Sequence, residues 1–187
     1  MRATLASSNP HKARELERSL PGWEIRLLGA AEMPAEDGAT YYENARAKAL
    51  FGRARGAAAG WVLGEDSGIE VEGLGGRPGI QSARWAADPV ARLLDELRGV
   101  SGPGRRARYV CELVAVSPEG RELRGTGTLE GRIADEPRGT EGFGYDPIFV
   151  PDGETLTVAE LGDAWKAEHS HRARASRALA EAIGKSS

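Results

Sequence analysis

A strand that runs directly into a helix start opens this chain, and that junction limits the fold more than any other stretch. Arg2-Ala3-Thr4-Leu5-Ala6-Ser7 reads as a short extended segment, and Ser8-Asn9-Pro10 breaks it with helix-start chemistry. Asn9 suits an N-cap, and Pro10 suits the first helical position, where its missing N–H costs nothing. Ala13, Leu16 and Leu20 then fall on one helical face. The alternating run Trp23, Ile25, Leu27 predicts a second strand before an acid-rich loop from Gly29 to Ala39.

Helix-type and strand-type segments keep alternating after that. Thr40 and Glu43 have capping-box spacing and predict an alanine-rich helix to about Ala59, with Gly60 placed to end it. Trp61-Val62-Leu63 predicts a buried strand that delivers Glu65-Asp66-Ser67-Gly68 at its end, after which Ile69 and Val71 resume an extended pattern. A glycine-rich loop from Gly73 to Gly79 leads into an irregular connection. Asp88-Pro89 caps a helix whose stripe is Val90, Leu93, Leu94 and Leu97 and whose end is Gly99. Two β-rich runs, 106–117 and 121–133, flank Pro118-Glu119-Gly120 as a long hairpin. A short helix at Thr157 to Leu161 and a final one from about Ser170 to Ile183, striped by Ala175, Leu179 and Ile183, close the chain. This order predicts one α/β domain over residues 1–187 with a mixed sheet.

Bulk properties exclude several classes. With 187 residues, 40% of them hydrophobic and 28% charged, the chain can bury a core without disulfides and does not have the composition of a disordered segment. A formal net charge of -3 argues against coating nucleic acid through an overall field, while leaving room for a local basic phosphate pocket. No window approaches the ~20 apolar residues of a membrane span and no leader-like pattern opens the chain, so a cytoplasmic protein is expected, with neither membrane nor nucleic acid as partner. Cys111 is the single cysteine and reads as a buried thiol in an apolar run.

Four stretches carry chemistry. At Ser7-Ser8-Asn9-Pro10-His11-Lys12 a strand-to-helix turn exposes backbone N–H groups at the positive end of a helix dipole, and Lys12 adds a charge suited to a triphosphate. The competing reading makes Asn9 a simple cap and Lys12 a solvated residue. At Glu65-Asp66-Ser67-Gly68 two carboxylates follow a buried strand, and Glu36 and Asp37 of the acidic loop can join them. Magnesium prefers hard oxygen ligands and keeps several waters, so one or two carboxylates plus substrate phosphates suffice; a solvated acidic turn is the alternative. Gly142-Phe143-Gly144-Tyr145-Asp146-Pro147 can bring an aromatic face against a planar base, or make a tight structural turn. Lys166 with His169-Ser170-His171-Arg172 gathers donors at the start of the last helix, or forms a solvated basic face, and the three histidines lack the ligand pattern of a zinc site.

Together and in this order, these motifs resemble the inosine triphosphate pyrophosphatase family. The resemblance spans nearly the whole chain, through Ser7 to Lys12, Tyr42-Glu43-Asn44-Ala45, Glu65 to Gly68, Leu74 to Gly79, Ser82-Ala83-Arg84, Phe143 to Pro147 and Ser170-His171-Arg172. It implies an α/β fold with a long mixed β-sheet and flanking helices, two lobes around a central active-site cleft, and a homodimer. It also implies magnesium-dependent hydrolysis of ITP, dITP and XTP to the monophosphate and pyrophosphate, which clears non-standard purines from the nucleotide pool. Carried over by motif, Ser7, Ser8, Asn9, Pro10, His11, Lys12 and Lys48 would hold the triphosphate and Ser67 would touch substrate. Asp66 would be the general base and a metal ligand, with Glu36 the second ligand. Phe143, Gly144, Tyr145, Asp146, Lys166, His171 and Arg172 would surround the nucleoside, Phe143 stacking and the cationic residues hydrogen-bonding the base. Many relatives carry Thr-Gly-Asn where this chain has Ser7-Ser8-Asn9, and paired aspartates where it has Glu65-Asp66.

The reaction so implied is attack of a magnesium-associated water on the α-phosphate, with Lys12 and Lys48 neutralising charge as pyrophosphate leaves. Two other readings stay open. A Maf-type pyrophosphatase for other modified nucleotides would suit the opening turn, although the Phe143 loop and Ser170-His171-Arg172 favour the inosine type. A non-catalytic nucleotide sensor would use the same pocket without turnover.

Overall fold

The chain, seen in a computed structural model that describes residues 1–29, 33–55 and 60–185, alternates strands and helices as the sequence predicts. Its strands are β1 (Arg2–Leu5), β2 (Glu24–Leu27), β3 (Trp61–Val71), β4 (Arg106–Val116), β5 (Glu122–Ile133) and β6 (Phe149–Pro151). Its helices are α1 (Pro10–Ser19), α2 (Tyr41–Ala54), α3 (Pro89–Glu96), α4 (Val158–His169) and α5 (His171–Gly184). The strands form one sheet in the order β2-β1-β3-β4-β5-β6. The sheet is mixed: β1 runs parallel to both β2 and β3, while β5 and β6 are antiparallel.

Two compact units divide the chain. The first comprises Met1–Asp66, Cys111–Gly127 and His171–Ser187. Its core joins the expected α1 face, Ala13, Leu16 and Leu20, to the expected α5 face, Ala175, Leu179 and Ile183, over Leu5, Leu63, Cys111 and Leu113. Each fully buried leucine contributes roughly 1.5–3 kcal/mol relative to exposure, so this seam is what holds α1 and α5 in register. Glycines let α5 lie on β5: a Cβ at Gly127 would sit 2.1 Å from the His171 carbonyl oxygen, and one at Gly125 would sit 2.2 Å from that of Ala175.

The second unit comprises Ser67–Val110 and Thr128–Ser170. Its core holds Leu93 and Leu97 of the predicted α3 stripe with Ile69, Val71, Ile133 and Phe149. The Tyr109 and Phe149 rings meet with centroids 4.5 Å apart. Among the described residues no helix is long and apolar enough to cross a membrane.

The caps form as read, with one adjustment. Asn9 accepts from His11 N at 2.9 Å and Asp88 accepts from Ala91 N at 2.9 Å. Thr40 accepts from Glu43 N at 3.1 Å, but the Glu43 carboxylate takes Ala39 N at 2.6 Å, one residue earlier than the reciprocal bond of a capping box. The full box occurs instead at Thr157 and Glu160. The first helical stretch of α4 ends at Leu161 as expected, where Gly162 (φ 82°) leaves the helical conformation, and a second stretch, which the sequence reading did not separate, continues after this kink to His169. The expected stretch of α2 up to Ala59 falls on residues 56–59, outside the described ones. β3 also differs: it runs unbroken through Glu65-Asp66-Ser67-Gly68, so the acids lie within a strand and not at its end. β6 was not expected, since three residues are too few to show alternation.

Candidate active site

Successive side chains of a strand point to opposite faces, and this separates the two adjacent acids of β3. Both are buried, Glu65 to 1% and Asp66 to 3% exposure. Asp66 shares its face with Gly64 and turns to α2, whereas Glu65 shares its face with Leu63 and turns to α1 and α5.

On the α2 side, Asn44 and Lys48 stand one helical turn apart and reach the same carboxylate. Asn44 Nδ2 donates to Asp66 Oδ2 at 3.1 Å, and Lys48 Nζ donates to Asp66 Oδ1 at 3.0 Å and to the Glu65 carbonyl at 3.0 Å. The helix comes this close because β3 has no side chain at Gly64, where a Cβ would lie 1.9 Å from the Ala45 carbonyl oxygen. Asn44 also accepts from Gly38 N at 2.9 Å, which ties the acidic loop to the helix. Glu36 of that loop forms an ion pair with Lys48. Burial pushes the Asp66 carboxyl above the ordinary aspartate value against the pull of Lys48 and Asn44. Burial also works against the Lys48 ammonium, but Asp66, Glu36 and Glu65 outweigh it and raise its pKa.

Among the described residues no three His, Cys, Asp and Glu side chains gather as a metal cage. Magnesium does not need one: the two carboxylates converging on Lys48 are hard oxygen donors, the set it uses together with phosphate oxygens.

On the other face, Lys12 Nζ lies 2.5 Å from Glu65 Oε2. Arg172 donates to Glu65 Oε1 from Nε at 3.2 Å and from Nη2 at 2.8 Å, and its Nη1 meets Glu15. Burial opposes the Glu65 charge, yet Lys12 and Arg172 overcome it and hold this carboxyl well below the usual range. Cys111 lies 3.6 Å from Glu65 Oε1, and burial with that neighbouring charge pushes its thiol well up, so it behaves as the expected buried, inert group.

The opening turn is partly self-satisfied. Ser7 Oγ accepts from Asn9 N at 3.1 Å and Asn9 caps α1. Ser8 and Pro10 are exposed. His11 is also exposed, with Nδ1 3.1 Å from Arg14 Nη2.

The second unit brings Phe143, Gly144 and Lys166 of the residues expected around the nucleoside to Asp146, while His171 and Arg172 belong to the first. Lys166 Nζ donates to Asp146 Oδ2 at 2.7 Å and lies 4.7 Å from the centre of the Phe143 ring, so carboxylate and aromatic face fix one ammonium. Asp146 also accepts from Phe143 N at 2.8 Å and from Tyr109 Oη at 3.2 Å. Gly144 takes a left-handed conformation (φ 64°) in this turn. Tyr145 is buried and donates to the Ser82 carbonyl at 3.1 Å, a packing role, and burial pushes its phenol up to about 12.

Arg172, expected against the base, has a guanidinium that is 2% exposed and engaged by Glu65 and Glu15 inside the first unit. His171, beside it at the start of α5, is buried too, and Ser67 is half-buried directly after Asp66. Three participants escaped the sequence reading: Asn44, Glu15 and Tyr109. The four-residue spacing of Asn44 and Lys48 was the available signal for the first; Glu15 and Tyr109 carry none, because their partners are distant in sequence.

The Ham1 family profile matches residues 3–182. A dITP/XTP pyrophosphatase of Thermus thermophilus is 44% identical over 192 residues, covering 97% of this chain and 91% of its own length. Another of that name, from Bdellovibrio bacteriovorus, is 42% identical with 98% of each chain covered. Among solved structures, the Ham1 protein of Staphylococcus aureus superposes with a TM-score of 0.85 at 32% identity over 100% of both chains. With sequence and fold agreeing over nearly its whole length, this chain belongs to the Ham1 family.

Proposed function

We propose that this chain is a nucleoside triphosphate pyrophosphatase that splits ITP, dITP and XTP to the monophosphate and pyrophosphate and so clears non-standard purines. The observation that carries this reading is the buried Lys48, held between Asp66 and Glu36, which joins a phosphate-binding cation to a base and a divalent-cation ligand pair. The names of the relatives from Thermus and Bdellovibrio support the same substrates.

In the reaction, Asp66 takes a proton from the water that attacks the α-phosphorus, the bond to the bridging oxygen breaks, and pyrophosphate leaves. Burial raises the basicity of Asp66, which brings it closer to the value a general base needs. Asn44 fixes the carboxylate orientation through Oδ2. Lys48 and Lys12 donate to the phosphates as negative charge moves to the leaving group. Asp66 and Glu36 would hold magnesium with phosphate oxygens, and the bound ion supplies charge neutralisation and a more acidic water. In the second unit Phe143 would stack on the base and Lys166 would donate to its 6-oxygen. An amino group at that position, as in ATP, would set donor against donor. The family resemblance further supports a homodimer acting in the cytoplasm, which equilibrium sedimentation of the purified protein and fractionation of its host cells would check.

A nucleotide panel of ITP, dITP, XTP, ATP and GTP, with magnesium and then with EDTA, tests the reading by separate assays for pyrophosphate and orthophosphate. Pyrophosphate should come from ITP, dITP and XTP and should stop in EDTA. Binding without turnover would instead identify a sensor.

A further inference from the structure

One residue of β3 touches both lysines assigned to the triphosphate. The carbonyl of Glu65 accepts from Lys48 at 3.0 Å, and its carboxylate sits 2.5 Å from Lys12 Nζ. Lys12 is the more exposed of the two pairing groups, since its side chain keeps 14% exposure while that of Glu65 has none. The carboxylate cannot follow Lys12 outward, because Arg172 holds Oε1 from two nitrogens and is itself braced by Glu15. Two cations and two carboxylates therefore interlock, with Lys12 as the member nearest solvent.

We propose that Glu65 is a positioning residue for pyrophosphate release, fixing the Lys12 ammonium through Oε2 before phosphate arrives. The proposal rests on the pyrophosphatase reading above. An ammonium has three N–H donors, so Lys12 can keep its contact with Glu65 and still donate to a phosphate oxygen. A donor already in place needs no reorganisation as charge develops on the leaving group, whereas an untethered lysine must be recruited at that moment. Arg172 acts through Glu65, which accounts for a guanidinium turned away from solvent so close to the site. Merely balancing charge in the interior would require none of this to affect turnover.

The test is steady-state kinetics with ITP and magnesium on wild type, Glu65→Gln, Glu65→Asp, Lys12→Met and the double variant Lys12→Met/Glu65→Gln, with melting temperatures alongside. Glu65→Gln should lower kcat at least about tenfold while KM moves little, because the loss is in placement and not in attraction. Glu65→Asp keeps the charge and should recover most of that kcat. The double variant should turn over no more slowly than Lys12→Met alone, the non-additivity expected when one residue acts through the other. It also restores the charge balance, so it remains measurable if Glu65→Gln folds poorly. Glu65→Gln with a lowered melting temperature and unchanged kcat would overturn the proposal, as would kcat losses that multiply in the double variant. A wild type that releases no pyrophosphate from any of the panel nucleotides overturns the functional reading itself, and the proposal with it.

Discussion

Replacing Gly64 by alanine would drive α2 away from β3 and test whether close packing of helix on strand sets the reaction geometry. A Cβ at this position would lie 1.9 Å from the Ala45 carbonyl oxygen and 2.6 Å from Ala49 N, both main-chain atoms of α2 that no rotamer change can move. Ordinary contact begins near 3.4 Å, so the helix must retreat by about 1.5 Å. Lys48 and Asn44 ride on that helix, and their bonds of 3.0 and 3.1 Å to Asp66 would stretch past hydrogen-bonding range. Overpacking of this kind costs about 1–3 kcal/mol, which for a chain of this size lowers the melting temperature by roughly 3–10 °C. Misplacement by ~1 Å can cost about 100-fold in rate, and a loss of that order in kcat is expected. Gly29→Ala is the control, because a Cβ there meets nothing within 4 Å. Calorimetry and ITP turnover on the two variants decide the matter. A Gly64→Ala enzyme with wild-type kcat, stable or not, would show that the α2–β3 spacing does not set the site.

Asp66→Asn should cut turnover at least ~100-fold. Burial of the Asp66 charge and loss of its pairing with Lys48 act in opposite directions, so the variant should melt near the wild-type temperature. Lys12→Ala should both raise KM for the triphosphate and lower kcat, and unchanged kinetics would return Lys12 to the solvated-residue reading. Asp146→Asn removes the charge that fixes Lys166 beside Phe143 and should shrink the preference for ITP over ATP, expected in the wild type to be roughly a thousandfold or more in kcat/KM. An absorbance titration should show one tyrosine ionising near 12, absent in Tyr145→Phe. Since that phenol is held neutral in the folded state, stability should fall as pH rises from about 10 toward 12.

The features legible in the sequence were those decided within a few residues. Asn9 and Asp88 announce their helices because an N-cap side chain bonds the backbone two or three residues on. The stripe Leu93 and Leu97, and the hairpin around Gly120, follow from period and turn chemistry in the same way. That the strand continues through Glu65-Asp66 was not legible for the same reason, since two acids flanked by Gly64 and Gly68 have the local composition of a turn. Gly64 is there to admit α2, a cause that lies 19 residues away at Ala45 and leaves no local trace.

The consequence reaches the site. Placed at the end of a strand, the two acids have no assigned faces. Read as consecutive residues of a buried strand, they must face opposite ways, and neither can remain buried as a charge without its own counter-charge. Asp66 then requires something like Lys48, and Glu65 requires something like Lys12 and Arg172. The sequence shows that these cations exist but not which acid each one serves, because Arg172 meets Glu15 across 157 residues and Glu65 across 107. Spacing carries no information over such separations, and the expectation that Arg172 reads the base followed from its motif neighbours, Ser170 and His171. A guanidinium enclosed beside two carboxylates loses far more by turning to a neutral base than it gains, since it would leave two charges unpaired in the interior. Under the proposed function Lys166, held by Asp146 and set against the Phe143 ring, would donate to a 6-oxo purine while keeping the pair that holds it.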